Sequence, residues 1–125
     1  MDLAEKKSGD VNILSIGGRL DAYSAAEAEK KLDQLIEAGK VKIILNLEGL
    51  EYISSSGLRV FLSQLKKVRK QQGDIKLCCM KPNIREVFDI AGFTQLFNIA
   101  ENEAAAVSWI GRQPVNRAVA PAIGV

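Results

Sequence analysis

Along this chain, apolar residues switch repeatedly between short runs that suit a strand and stripes spaced by three and four that suit a helix. Val11 to Ile16, Val-Asn-Ile-Leu-Ser-Ile, alternates imperfectly and meets Gly17-Gly18, which predicts a strand running into a turn. Arg19-Leu20-Asp21 then leads to a loop. Ser24-Ala25-Ala26-Glu27 has the Ser-x-x-Glu form of a capping box, in which serine and glutamate side chains each satisfy an orphan backbone N–H, so a helix is expected to start there. Ala25, Ala28, Leu32, Leu35 and Ile36 form its apolar stripe, and Gly39 stands where a C-terminal glycine ends it.

Val41 to Leu47 is a nearly continuous aliphatic run, as a strand covered on both faces requires, and predicts a central parallel strand. Glu48 to Ile53 reads as a connection. From Ser56, Leu58, Phe61, Leu62, Leu65 and Val68 form a second helical stripe, with Lys66, Lys67, Arg69 and Lys70 mostly opposite and an end near Gly73. Ile75 to Met80 reads as another buried strand. Pro82-Asn83 opens a third helix with Ile84, Val87 and Phe88 inward and Gly92 as its stop. Leu96 to Ile99 suits a short edge strand, and Asn102 to Ile110 a last helix whose seam Trp109 covers. No internal repeat is found.

Strands alternating with helices imply an α/β domain over residues 1–110, a mixed, mostly parallel sheet of four to five strands with about four helices packed against it. Residues 111–125, with Pro114, Pro121 and small residues without period, read as a loosely ordered tail. Binding loops in such sheets gather outside the carboxyl ends of the strands. Three segments are therefore expected to converge: Leu20–Ser24, Asn46–Leu50 and Tyr52–Gly57.

Composition narrows the chemistry. Seventeen Lys plus Arg against fifteen Asp plus Glu leave +2, and Arg112 and Arg117 account for it in a tail without acids. A neutral domain gains little from counterion release, so nucleic acid is not an expected partner. No stretch approaches the roughly eighteen apolar residues of a membrane helix, and Met1–Lys7 lacks a signal-peptide core, so a cytosolic protein without membrane insertion is expected. The two cysteines, Cys78 and Cys79, are adjacent in an expected strand, where they point to opposite faces as reduced packing groups. With no histidine, Ser-His and Cys-His nucleophile pairs and histidine zinc sites are excluded. No Walker A or Gly-x-Gly-x-x-Gly motif provides a nucleotide site, and no cofactor is implied. Lys66–Lys70 reads as a solvated face, and Ser63-Gln64-Leu65-Lys66 lacks the companion elements of penicillin-recognising enzymes.

Residues 41–62, centred on Lys-Ile-Ile-Leu-Asn-Leu-Glu-Gly-Leu-Glu-Tyr-Ile-Ser-Ser-Ser-Gly-Leu-Arg-Val-Phe-Leu, resemble the signature of STAS domains and, among them, bacterial anti-sigma-factor antagonists. Gly18-Arg19-Leu20-Asp21 is similar to the family's Gly-x-Leu-Asp element, and Ile84 to Phe93 to its third helix and following turn. The resemblance spans about residues 11–110 and implies a non-enzymatic switch. In such proteins a serine at the start of the second helix is phosphorylated by a partner that is both kinase and anti-sigma factor. The unphosphorylated antagonist binds that partner, the phosphorylated form is released, and a serine phosphatase resets it. By residue-wise transfer the acceptor is Ser56, with Ser55 the second candidate, and Asp21, Asn46, Ser54, Ser55 and Gly57 belong to the partner-binding surface. Ser54 stands where the family usually has aspartate.

The chemistry of the segment is compatible with that role. A phosphate on a serine at a helix start meets unpaired N–H groups and the positive end of the helix dipole, and adds about −1.5 to −2 charge that repels an acidic partner. A glycine at residue 57 lets another backbone approach, so a bulkier residue there is expected to obstruct docking more than folding. Plainer roles also exist. One of Ser54–Ser56 serves as N-cap, Asp21 is a turn residue and Asn46 a polar strand end. Two other functions remain open: a constitutive scaffold subunit of a signalling or membrane-transport complex, and a small-ligand or nucleotide sensor. The pathway and oligomeric state are not encoded in these motifs.

Overall fold

The computed structural model describes residues 1–112, with side chains through Ile110, so the expected tail over 111–125 lies outside the described residues apart from the backbone of Gly111 and Arg112. The elements in order are β1 (Asp2–Ser8), β2 (Val11–Leu20), α1 (Ala25–Glu37), β3 (Lys42–Asn46), β4 (Leu50–Ile53), α2 (Ser55–Lys70), β5 (Asp74–Cys78) and α3 (Pro82–Ala91). A 3-10 turn (Phe93–Gln95), β6 (Asn98–Ala100) and α4 (Glu103–Arg112) follow. The six strands run β1-β2-β3-β5-β6, with β4 also paired to β2. Only β1 is antiparallel to its neighbour. The class is the expected α/β, with a strand count just above the four to five anticipated.

The two strands absent from the sequence reading have distinct causes. β1, Asp-Leu-Ala-Glu-Lys-Lys-Ser, is an edge strand with almost no buried face, so apolar alternation does not mark it. The two-residue Gly9-Asp10 connection, with Gly9 at φ +62°, was the available hairpin signal. β4 exists because β2 does not stop at Gly17-Gly18. The register shifts between Gly18 and Arg19, Gly18 N–H donates to Gly49 O at 2.8 Å, and β2 continues beside β4 as far as Leu20 opposite Ile53. Gly18 has φ +86°, and a Cβ on Gly49 would lie 3.3 Å from the Gly17 Cα, so glycines at this crossing permit the bend and the close approach.

The sheet has two unequal covers. Leu14, Ile16, Ile43, Leu45, Ile75 and Leu77 join the buried faces of α1, α2 and α3 in one large core. The helical stripes fall as expected: Ala25, Ala28, Leu32, Leu35 and Ile36 are buried on α1, and Leu58, Phe61, Leu65 and Val68 on α2. Phe88 anchors α3 between Phe61 and Phe97, at ring-centroid distances of 6.3 and 6.2 Å. On the opposite face, Val11, Ile13, Ile44 and Cys78 meet Ala106 and Ile110 of α4 in a small cluster, with Val107, Cys79 and Ala100 packed at its margin. Lys76 also faces this side, 1% exposed, with Asp74 at 3.2 Å and the Trp109 ring 4.4 Å from its Nζ. Trp109 thus covers a buried cation at that seam.

The cysteine expectation is corrected. β5 ends at Cys78, Cys79 turns to φ +67°, and its Sγ donates to the Cys78 Sγ at 3.3 Å instead of pointing to the other face. Burial, foremost, pushes the Cys78 thiol well above its ordinary range. Among the described residues no helix is long and apolar enough to cross a membrane.

Candidate functional site

Because β2 and β4 are parallel and end side by side, the helices that follow them start as neighbours. The junction is direct: Ser54 N–H donates to the Leu20 carbonyl at 2.9 Å. Each start carries its own side-chain cap. On the α1 side, Asp21 Oδ1 accepts the N–H groups of Tyr23 and Ser24, both at 3.0 Å, while Ser24 Oγ accepts the Asp21 N–H at 3.0 Å. This reciprocal pair has the logic of a capping box shifted three residues upstream of the expected one. Ser24 is helical in φ and ψ and makes no cap bond of its own, so the Ser24–Glu27 box is not formed. The Ser24 backbone N–H, before all else, holds the Asp21 carboxyl below the usual carboxylate range, assisted by the Ser24 hydroxyl, the Tyr23 N–H and the Arg19 charge.

On the α2 side, Ser54 is the N-cap, extended at φ −93° and ψ 172°, and its Oγ accepts the Gly57 N–H at 3.2 Å. Ser54 therefore performs the capping that an aspartate at this position would perform. Ser55 and Ser56 follow in the first turn, Ser55 exposed and Ser56 half-buried. Ser56 Oγ accepts a hydrogen bond from Arg59 Nη2 at 3.3 Å. Arg59, and Tyr23 at 95% exposure beside Asp21, carry no motif that marks them in the sequence. The i,i+3 spacing of Ser56 and Arg59 was the signal that could have found the former.

Gly57 faces inward. A Cβ there would lie 2.9 Å from Leu20 Cγ and 3.0 Å from Ile53 Cγ1, in the core below the junction. A larger residue at 57 therefore disturbs packing first, the reverse of the order expected from sequence. Asn46 sits elsewhere. It ends β3 on the α4 side of the sheet, where its Nδ2 donates to Glu103 Oε2 at 2.8 Å and its Oδ1 accepts the Glu48 N–H at 3.0 Å. Glu103 also pairs with Lys6 at 2.8 Å, and these two partners, Lys6 first, hold its carboxyl below the ordinary value. Thus Asp21, Ser54, Ser55, Ser56 and Gly57 come together at one junction, whereas the Asn46 side chain is committed to α4.

A third element stiffens the frame. Lys81 Nζ donates to Glu48 O at 2.7 Å and Asn83 Nδ2 to Glu51 O at 3.3 Å, tying the start of α3 to the β3–β4 segment. Beside the junction, the Arg19 guanidinium lies 4.2 Å from the Tyr52 ring centroid.

This arrangement gathers three hydroxyls, those of Ser54, Ser55 and Ser56, at one helix start. The one side chain bonded to Ser56 is a cation, the chain has no histidine, and Asp21 Oδ1 is occupied by local donors. Among the described residues no group of three His, Cys, Asp or Glu side chains could hold a metal ion.

Known proteins share the whole architecture. The STAS domain family matches residues 3–106. A Bordetella bronchiseptica protein assigned to the anti-sigma factor antagonists, BtrV, is 37% identical over 108 residues, 86% of this chain and 93% of the relative. The anti-sigma-B factor antagonist of Bacillus subtilis is 31% identical over 103 residues, 82% of this chain and 93% of that one. The phosphorylated form of the Bacillus cell fate determinant SpoIIAA superposes with a TM-score of 0.69 at 22% identity, over 87% of this chain and 99% of that one, a likeness of fold.

Proposed function

The chain belongs to the STAS domain family, and on that premise we propose that it is an anti-sigma-factor antagonist, a binding switch operated by phosphorylation at Ser56. Unphosphorylated, it docks on a serine kinase that doubles as an anti-sigma factor. The kinase transfers the γ-phosphoryl group of ATP to Ser56 Oγ, the hydroxyl proton passes to a base of the kinase, and ADP leaves. The phosphorylated chain is then released until a serine phosphatase restores the hydroxyl. The chain acts as a substrate and not as an enzyme.

One observation carries the reading: Ser56 lies in the first turn of a helix already capped by Ser54, with the Arg59 guanidinium as its side-chain partner. Phosphorylation can add charge there without dismantling the cap, so the fold persists while the surface changes sign. Asp21, Ser54 and Ser55 supply the adjoining contact surface, and Gly57 acts indirectly by seating α2 on Leu20 and Ile53.

The test combines mass spectrometry with titration. Incubation with the cognate kinase and ATP should place one phosphate on Ser56, with Ser55 the second candidate. Ser56→Ala should bind the kinase tightly and Ser56→Asp weakly. Equal affinities for these two variants together with an unmodified Ser54–Ser56 cluster would point instead to a constitutive scaffold, and modification confined to Ser24 or Ser108 would sink the site assignment.

A further inference from the structure

We propose that Arg59 is the receptor, within the same chain, for the phosphate carried by Ser56. The inference rests on Ser56 being the phosphorylated residue, and it assigns a role to a side chain outside the capping and packing machinery. Arg59 Nη2 already reaches Ser56 Oγ at 3.3 Å across one turn of α2. Replacing the hydroxyl with a phosphate ester puts three acceptor oxygens and nearly two negative charges within reach of a planar guanidinium that suits phosphate geometry.

The neighbouring charges do not duplicate the role. The Arg19 guanidinium is stacked against Tyr52, and no acid stands in the first turn of α2 to compete for Arg59. Asp21, next in sequence to the residue that Ser54 is bonded to, acts in the opposite sense, since its carboxylate opposes an added dianion. The phosphorylated state is therefore held by a contact that the partner does not supply. A phosphatase must displace Arg59 to reach the ester. The same geometry distinguishes the two candidate acceptors, because Arg59 bonds to Ser56 and not to Ser55.

The experiment needs no kinase. Phosphoserine is incorporated during translation at position 56, and in a second protein at position 55, and each phosphate is titrated by phosphorus NMR. The second phosphate pKa, ordinarily about 6, should lie lower at 56 than at 55. Arg59→Gln should raise the value at 56 by about 0.3 unit, the size of an exposed charge pair at this spacing, and raise the value at 55, whose hydroxyl Arg59 does not bond, by less. Arg59→Lys should restore part of the difference, which a purely structural role of the side chain would not do. Asp21→Asn serves as the control of opposite sign and should lower the value at 56. Equal midpoints at 56 in the parent and Arg59→Gln proteins would overturn the assignment while leaving phosphorylation by the kinase intact. Conversely, failure of the kinase to modify Ser56 would remove the biological role without altering these midpoints.

Discussion

The starts of α1 and α2 pose the same problem, four backbone N–H groups without helical partners, and solve it with different residues. At α1 a carboxylate collects two N–H groups and is itself fixed by Ser24. At α2 a single hydroxyl collects one, from Gly57, and nothing reaches back. The first start is held by a reciprocal pair of side chains just ahead of the helix. The second leaves Ser55 and Ser56 without a reciprocal partner in the cap and depends on burial of Gly57 for its position. A modifiable hydroxyl is better placed in the second, because adding a group to Ser24 would break the bonds that launch α1.

The largest expected difference is at Gly57. Gly57→Val should cost about 3 kcal/mol, the upper end for forcing atoms into a packed core, as measured by chemical denaturation. A loss below about 1 kcal/mol with kinase binding abolished would show instead that this glycine serves docking.

The cap itself should matter less. Ser54→Ala should lower stability by about 1 kcal/mol, the usual effect of losing an N-cap oxygen. Ser54→Asp should retain the cap and gain about 0.3–1 kcal/mol from the helix dipole, with faster phosphorylation at Ser56. An unchanged melting curve for Ser54→Ala would mean that the Ser54–Gly57 bond does not hold α2.

Of the two helix starts, acid should loosen that of α1. The Asp21 carboxyl is held below its ordinary value of 3.8, so its hydrogen bonds contribute above that pH and are lost as the pH falls through the lower folded value. The amide signals of Tyr23 and Ser24 should titrate together with a midpoint below 3.8, and Asp21→Asn should abolish that step. A midpoint at or above 3.8 would contradict the carboxylate cap. The smallest effect belongs to Glu27→Ala, expected within about 0.5 kcal/mol of the parent, since no box joins Glu27 to Ser24. A loss above about 1 kcal/mol would revive that box.

Much of the site was readable because its ingredients are contiguous. Ser54 to Gly57 precede an unambiguous apolar stripe, and residues 18–21 precede another, so both helix starts could be located. Which residue caps each could not be read from spacing, since Asp21 and Ser24 both qualify as caps and lie three apart. The path of β2 beyond Gly18 decides between them by delivering the Asp21 carboxylate to the N–H groups of Tyr23 and Ser24, while Ser24 itself is already helical.

The amino-acid order alone determined the alternation of strands and helices, the inward faces of α1 and α2 and the absence of catalytic histidine chemistry, because these follow from periodicity and residue type. Tertiary structure decided the rest. The continuation of β2 past Gly17-Gly18, the inward aim of Gly57, the meeting of two thiols at Cys78-Cys79 and the commitment of Asn46 to Glu103 each depend on a residue distant in sequence or on a backbone turn. A local pattern records how a segment would fold against an unspecified surface, whereas Leu20, Ile53 and Glu103 supply the actual one.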